Sequence, residues 1–190
     1  MIKCYVINLK RRLDRLSKIE KNLKSVGIKF ERFDATDALR ETEDILNTNL
    51  ELNGPLGLIS KGDKACFQSH SKLWNIIALT ETKPVLILED DVQINNGALD
   101  VLKNIDWIPS DMNIIKCERF GNSRHKILVS PSLKKFGVFN LYYLWSKHSG
   151  TGAYIISPKG AKILCNQKKK VNVSVDHYLF NPNNSNVFKK

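Results

Sequence analysis

A chain of 190 residues with 42% hydrophobic and 26% charged positions has the length for one domain with a buried core and the composition of a folded protein, not a disordered one. No apolar run approaches the roughly 20 residues needed to cross a bilayer, the N-terminus reads as a strand and not a signal peptide, and four scattered cysteines without a C-x-x-C pair argue against a disulfide framework or a zinc site and for a cytoplasmic setting. Thirty Lys and Arg against nineteen Asp and Glu leave a charge of +11, which selects anionic partners (phosphorylated substrates or an acidic lipid surface), with nucleic acid ranked below them because no basic helix interleaved with aromatics occurs.

In chain order, Tyr5, Val6 and Ile7 mark a buried strand over residues 3–8. Leu13, Leu16, Ile19, Leu23 and Val26 then recur at helical spacing, and Gly27 supplies a stop. A second strand over 28–33 completes a βαβ unit and with it a parallel sheet. Residues 36–64 are polar and turn-rich, with room for a short helix over 38–47. Cys66, Phe67, His70, Leu73, Trp74 and Ile77 predict a helix over 64–80. Pro84–Leu88 is a core strand ending abruptly in Glu89-Asp90-Asp91. Further on, the pattern predicts a helix over 98–105 and strands over 112–117, 126–129, 138–145 and 152–156. A proline-opened helix over 158–167 and a last strand over 171–175 complete the set. Residues 1–180 form the domain and 181–190 read as a frayed tail. The sum is an α/β domain, a mostly parallel sheet flanked by helices with an added antiparallel part.

Ligands of such sheets bind beyond the carboxyl ends of the strands. Asn8, Asp34, Glu89-Asp90-Asp91, Glu118 and Asp176 all fall there. Three consecutive acids repel one another unless a cation is near, so Mg²⁺ or Mn²⁺ shared with a substrate diphosphate fits them; a solvated acidic turn fits them as well. Alternation in an extended segment lets Glu89 and Asp91 share a face while Asp90 points elsewhere. Arg11, Arg12 and Arg15 oppose the macrodipole at a helix start, which suits a phosphate group or a solvent face. His70, on an apolar helix face, reads as a hydrogen-bonded core residue or as a catalyst. Ser69 beside it is open to a ligand contact.

Four stretches together resemble glycosyltransferase family 25, the lipooligosaccharide galactosyltransferases and their relatives. They are Tyr5-Val6-Ile7-Asn8-Leu9 through Asp34-Ala35; Gly62-Asp63 with Cys66 to His70 and Trp74; Val85 to Val92 around Glu89-Asp90-Asp91; and Gly150 to Ser157 with Gly160-Ala161 and Val175-Asp176. Lys10, Leu13 and Ala65 depart from the usual pattern, and relatives commonly continue beyond the last stretch. The resemblance implies a GT-A-like fold, a UDP-sugar donor (galactose favoured, glucose the other choice), a divalent metal and inversion at the anomeric carbon. It implies a glycolipid oligosaccharide acceptor of the lipopolysaccharide type at the inner face of the cytoplasmic membrane. Carried over by position, the resemblance implies that Asn8, Arg12, Arg15 and Asp34, with Ser69 and Asp90, would hold the nucleotide sugar, that Glu89 and Asp91 would hold the metal, and that His70 would lie near the donor. Asp176 is the first candidate for the catalytic base and Glu118 the second. A shortened, non-catalytic nucleotide-sugar-binding relative is the alternative.

Overall fold

Strand β1 (Lys3–Asn8) is buried on both faces because it lies inside a sheet covered by helices, where aromatic and β-branched side chains pack to either side. The structure is a computed structural model and describes residues 1–94, 97–118, 126–137, 139–184 and 187. Helix α1 (Leu13–Ser25) carries the chain over to β2 (Glu31–Asp34), which pairs in parallel with β1 as the βαβ pattern predicts. It ends in a Schellman motif: Gly27, at φ 71°, lets its own N–H reach Lys24 O at 3.1 Å and the Ile28 N–H reach Leu23 O at 2.9 Å.

A one-turn helix α2 (Glu43–Leu46) and the two-residue strands β3 (Asn53–Gly54) and β4 (Gly57–Leu58) fill the polar stretch. Helix α3 (Lys61–Thr80) starts where Ser60 Oγ accepts from Asp63 N at 3.1 Å. Strand β5 (Val85–Glu89) follows, then α4 (Ala98–Lys103), β6 (Ile114–Lys116), the hairpin β7 (Lys134–Phe136) and β8 (Phe139–Leu141), β9 (Ala153–Ile156), α5 (Pro158–Cys165) and α6 (Val175–Phe180).

The main sheet has the order β2-β1-β5-β9-β6. Strand β1 runs parallel to β2 and β5, whereas β9 is antiparallel to both of its neighbours. The antiparallel part is thus inserted within the sheet, and the mostly parallel α/β arrangement matches the GT-A-like expectation. Alternation along the strands divides the core in two. Tyr5, Ile7, Ile87, Tyr154 and Ile156 face α3, α5 and α6, while Cys4, Val6, Leu86, Leu88 and Ile155 face α1, α4 and Trp107.

Two expected strands are absent. Val171, Val173 and Val175 alternate and are buried, yet only Val171 finds a strand-like partner, one isolated bridge to Leu50. No strand lies beside it among the described residues, and the segment leads into α6, so Asp176 lies in a helix's first turn and not at a strand end. The stretch 126–129 keeps only the bridge from Val129 to Leu144. Position 138 of the expected 138–145 strand, and 185, 186 and 188–190 of the expected tail, lie outside the described residues. Val187 is 1% exposed and packs in the α3-side core.

Candidate active site

The register brings the strand ends side by side: Asn8 pairs with Asp34, and Ile7 with Glu89. The three acids then part. Asp90, 8% exposed, turns inward, where Asn8 Nδ2 donates to its Oδ2 at 2.7 Å and Arg15 Nη1 to its Oδ1 at 3.0 Å. Arg15 also reaches Asp91 Oδ2 at 3.2 Å. Glu89 and Asp91 line one open cleft of about 2010 Å³, together with Lys116, Glu118, Thr151 and Tyr143.

Glu89 has two side-chain partners. Its Oε1 accepts from Thr151 Oγ1 at 2.5 Å and lies 3.3 Å from His70 Nε2. Burial works to raise its pKa, but the hydrogen bonds from His70 and Thr151 prevail and hold it below the usual carboxylate range. Asp91 is the reverse case: partial burial first, then the charges of Glu89 and Asp90, push its carboxyl up, and Arg15 offsets only part of this. Asp91, with its carboxyl pushed up beside Glu89, offers together with it oxygen ligands of the kind that Mg²⁺ and Mn²⁺ take. A softer grouping lies behind it. Cys66, His70 and Glu89 bring ligand atoms within 4.8 Å of one another. Burial, then the charges of Glu89, Asp63 and Asp176, push the Cys66 thiol far up.

The two candidate bases differ in what is left free. Asp176 accepts from Ser174 Oγ at 2.5 Å, His177 N at 2.8 Å and Gly150 N at 3.2 Å; although burial opposes it, this set holds the carboxyl below its ordinary range. Glu118 lines the cleft, and its Oε1 takes Lys116 Nζ at 2.9 Å and Gly152 N at 2.8 Å. Burial pulls the Lys116 amine down, against the pull of Glu118.

The arginines at the start of α1 are neutralised from within the chain. Arg12 forks onto Asp14 at 2.9 and 2.7 Å, and Arg11 meets Asp37 at 2.8 Å. Only Arg15 joins the acidic cluster. Asp34 is half exposed between Lys10 and Arg32. Ser69 is committed to the fold, accepting from Thr36 N at 2.9 Å and donating to Ala65 O at 2.7 Å. The roles of Thr151, Tyr154, Trp74 and Lys116 escaped the sequence reading. The four-residue steps from Cys66 to His70 to Trp74 were the available signal, since they stack all three on one helix face.

Residues 1–179 match the family described as Glycosyltransferase family 25 (LPS biosynthesis protein). A Haemophilus influenzae protein whose name places it among the glycosyltransferases is 31% identical over 180 residues, covering 93% of this chain and 62% of its own length. The lipooligosaccharide biosynthesis protein lic2B of Haemophilus influenzae is 27% identical over 194 residues, 97% of this chain and 71% of that protein. The lacto-N-neotetraose biosynthesis glycosyltransferase LgtB of Neisseria gonorrhoeae is 33% identical over 168 residues, 83% of this chain and 58% of that protein. The match to the first and third of these thus spans about three-fifths of their length.

Proposed function

Because the chain belongs to glycosyltransferase family 25, we propose that residues 1–180 form its transferase domain and move a hexose from a UDP-sugar, galactose before glucose, to a lipooligosaccharide or lipopolysaccharide acceptor with inversion. The observation that carries this reading is the parting of Glu89-Asp90-Asp91, with Asp90 locked to Asn8 and Arg15 while Glu89 and Asp91 line the cleft. Names of relatives such as lic2B and LgtB support the acceptor class.

The mechanism follows from what each residue can do. Glu89 and Asp91 would hold a divalent cation, Mn²⁺ or Mg²⁺, which when bound supplies charge stabilisation for the departing diphosphate. Arg15 steadies Asp90 and Asp91. Inversion needs one base to take the proton from the acceptor hydroxyl oxygen as that oxygen attacks the anomeric carbon. Glu118 suits the role better than Asp176, since it borders the cleft and has an oxygen without a hydrogen bond among the described residues, whereas three donors occupy Asp176. No helix among the described residues is long and apolar enough to cross a membrane. For a glycolipid acceptor, the positive charge favours the anionic inner face of the cytoplasmic membrane.

Calorimetry with UDP, UDP-galactose and UDP-glucose, with and without Mn²⁺, tests the reading on this chain and on Asp91→Ala. Metal-dependent binding in the parent that vanishes in the variant is the expected result. Binding without transfer to any glycolipid acceptor would favour the non-catalytic alternative, and no binding at all would sink the proposal.

A further inference from the structure

Behind the cleft, the α3-facing side of the sheet carries a line of polar groups in an otherwise apolar core. Helix α3 sets His70 and Trp74 one turn apart, and the register places Tyr154 of β9 opposite Ile87 of β5, two residues before Glu89 on the same face. Trp74, Tyr154 and His70 are between 0% and 1% exposed, so each polar atom needs a partner. Trp74 Nε1 lies 2.8 Å from Tyr154 Oη, Tyr154 Oη 2.8 Å from His70 Nδ1, and His70 Nε2 3.3 Å from Glu89 Oε1.

The indole can only donate, and the buried Tyr154 O–H finds no acceptor but His70 Nδ1 among the described residues, which together set the direction of the line. Trp74 N–H donates to the Tyr154 oxygen. The Tyr154 O–H then has His70 Nδ1 as its acceptor, which leaves the His70 proton on Nε2, donated to Glu89. Thr151 Oγ1 donates to the same carboxylate oxygen at 2.5 Å. Glu89 Oε1 is therefore filled from two sides. Oε2 takes no hydrogen bond among the described residues, in a side chain that is 27% exposed and borders the cleft.

We propose that Trp74, Tyr154, His70 and Thr151 are positioning residues that commit one oxygen of Glu89 and present the other, in a fixed direction, as a single cation ligand in the cleft. This deepens the metal-assisted reading above and rests on it. It also decides between the two ligand groupings. With both ring nitrogens of His70 engaged by Tyr154 and Glu89, His70 stands behind the site, with Cys66 one turn before it on α3, and neither is a ligand. The cation is then a hard one, held by oxygen.

Outer residues that orient a metal ligand typically change metal affinity by about 10- to 100-fold when replaced. The test is Mn²⁺ binding in the presence of UDP, read from the electron paramagnetic resonance signal of free Mn²⁺. Thr151→Val keeps the shape and removes the donor, and Thr151→Ser restores it. Tyr154→Phe breaks the line one step further back. The proposal expects at least about tenfold weaker Mn²⁺ binding for Thr151→Val and Tyr154→Phe, near-parental binding for Thr151→Ser, and metal-free UDP affinity equal in all. It also expects no thiolate-to-cobalt charge-transfer band when Co²⁺ replaces Mn²⁺. Parental Mn²⁺ affinity in a folded Thr151→Val protein, or a thiolate band with Co²⁺, would overturn the relay alone. A parent chain that binds UDP but no Mn²⁺ would overturn the metal-assisted reading, and the relay with it.

Discussion

At Asp91 the fold works against itself. Its carboxyl is pushed up by partial burial and by the adjacent Glu89 and Asp90 charges, so the native state holds its proton more tightly than the unfolded chain does. The sign follows: the ionised group penalises the fold at neutral pH, and the penalty is relieved as pH falls through the raised pKa. Asp91→Asn should therefore raise the melting temperature of the metal-free protein by about 1–2 °C, small because the side chain is 55% exposed and screened. The same variant should lose Mn²⁺-dependent UDP binding. A lowered melting temperature in thermal scans at low ionic strength would count against the charge argument. Glu89 has the opposite sign: its stabilisation is present above the ordinary 4.5 and is lost as pH falls through the depressed value. At the base, Glu118→Gln should lower kcat by about 10²- to 10⁴-fold with donor affinity kept. Asp176→Asn should act chiefly on stability, since its carboxylate ties α6 to Gly150. Equal losses of kcat in both variants would return the choice of base to the acceptor-bound geometry.

Among the elements, those with a strong period were legible and those that depend on a distant partner were not. Strands β1 and β5 and helices α1 and α3 stand where apolar spacing puts them, because each buries a continuous apolar face. The segment 171–175 has a strand's alternation, but pairing is a property of two segments, and the sequence does not reveal that its neighbour is missing. The acidic cluster was legible as a place, through the strand-end rule. The line from Trp74 to Glu89 was not, because it depends on the register of β9 against β5, which local pattern leaves open. Close packing sets a further test on α5. Gly160 is a helix residue where alanine would ordinarily gain about 1 kcal/mol. Here an added Cβ would come within 2.2 Å of Asn113 O, a backbone atom beside β6 that cannot swing away. Gly160→Ala should destabilise the protein in chemical denaturation, by about 1–3 kcal/mol if the helix shifts to relieve the overlap. A gain in stability would mean that α5 is less tightly seated than the structure has it.

For the whole molecule, the charge of +11 surrounds a cleft whose centre is anionic, and the two have different tasks. Short-range carboxylates suit a cation, while a wider positive field would favour a diphosphate or an acidic bilayer and would weaken with salt. One stretch at the rim of the cleft joins exposed aromatics to lysines. Tyr142, Tyr143 and Trp145 are 43%, 58% and 55% exposed beside Leu128 and Leu133, and Lys126, Lys134, Lys135 and Lys147 lie in the same stretch. Amphipathic aromatics with nearby lysines are the side chains that settle at headgroup depth. Of the three tryptophans, Trp74 and Trp107 are buried, so a change of fluorescence on meeting a membrane reports Trp145. Vesicles rich in phosphatidylglycerol should shift the emission to the blue at low salt, zwitterionic vesicles should not, and about 0.5 M NaCl should reverse the shift, because the Debye length falls well below 10 Å. Trp145→Phe should abolish the signal, while sedimentation with anionic vesicles weakens by only a few fold. A shift that survives in Trp145→Phe, or that ignores lipid charge, would place the contact elsewhere on the molecule and detach the aromatic stretch from the membrane.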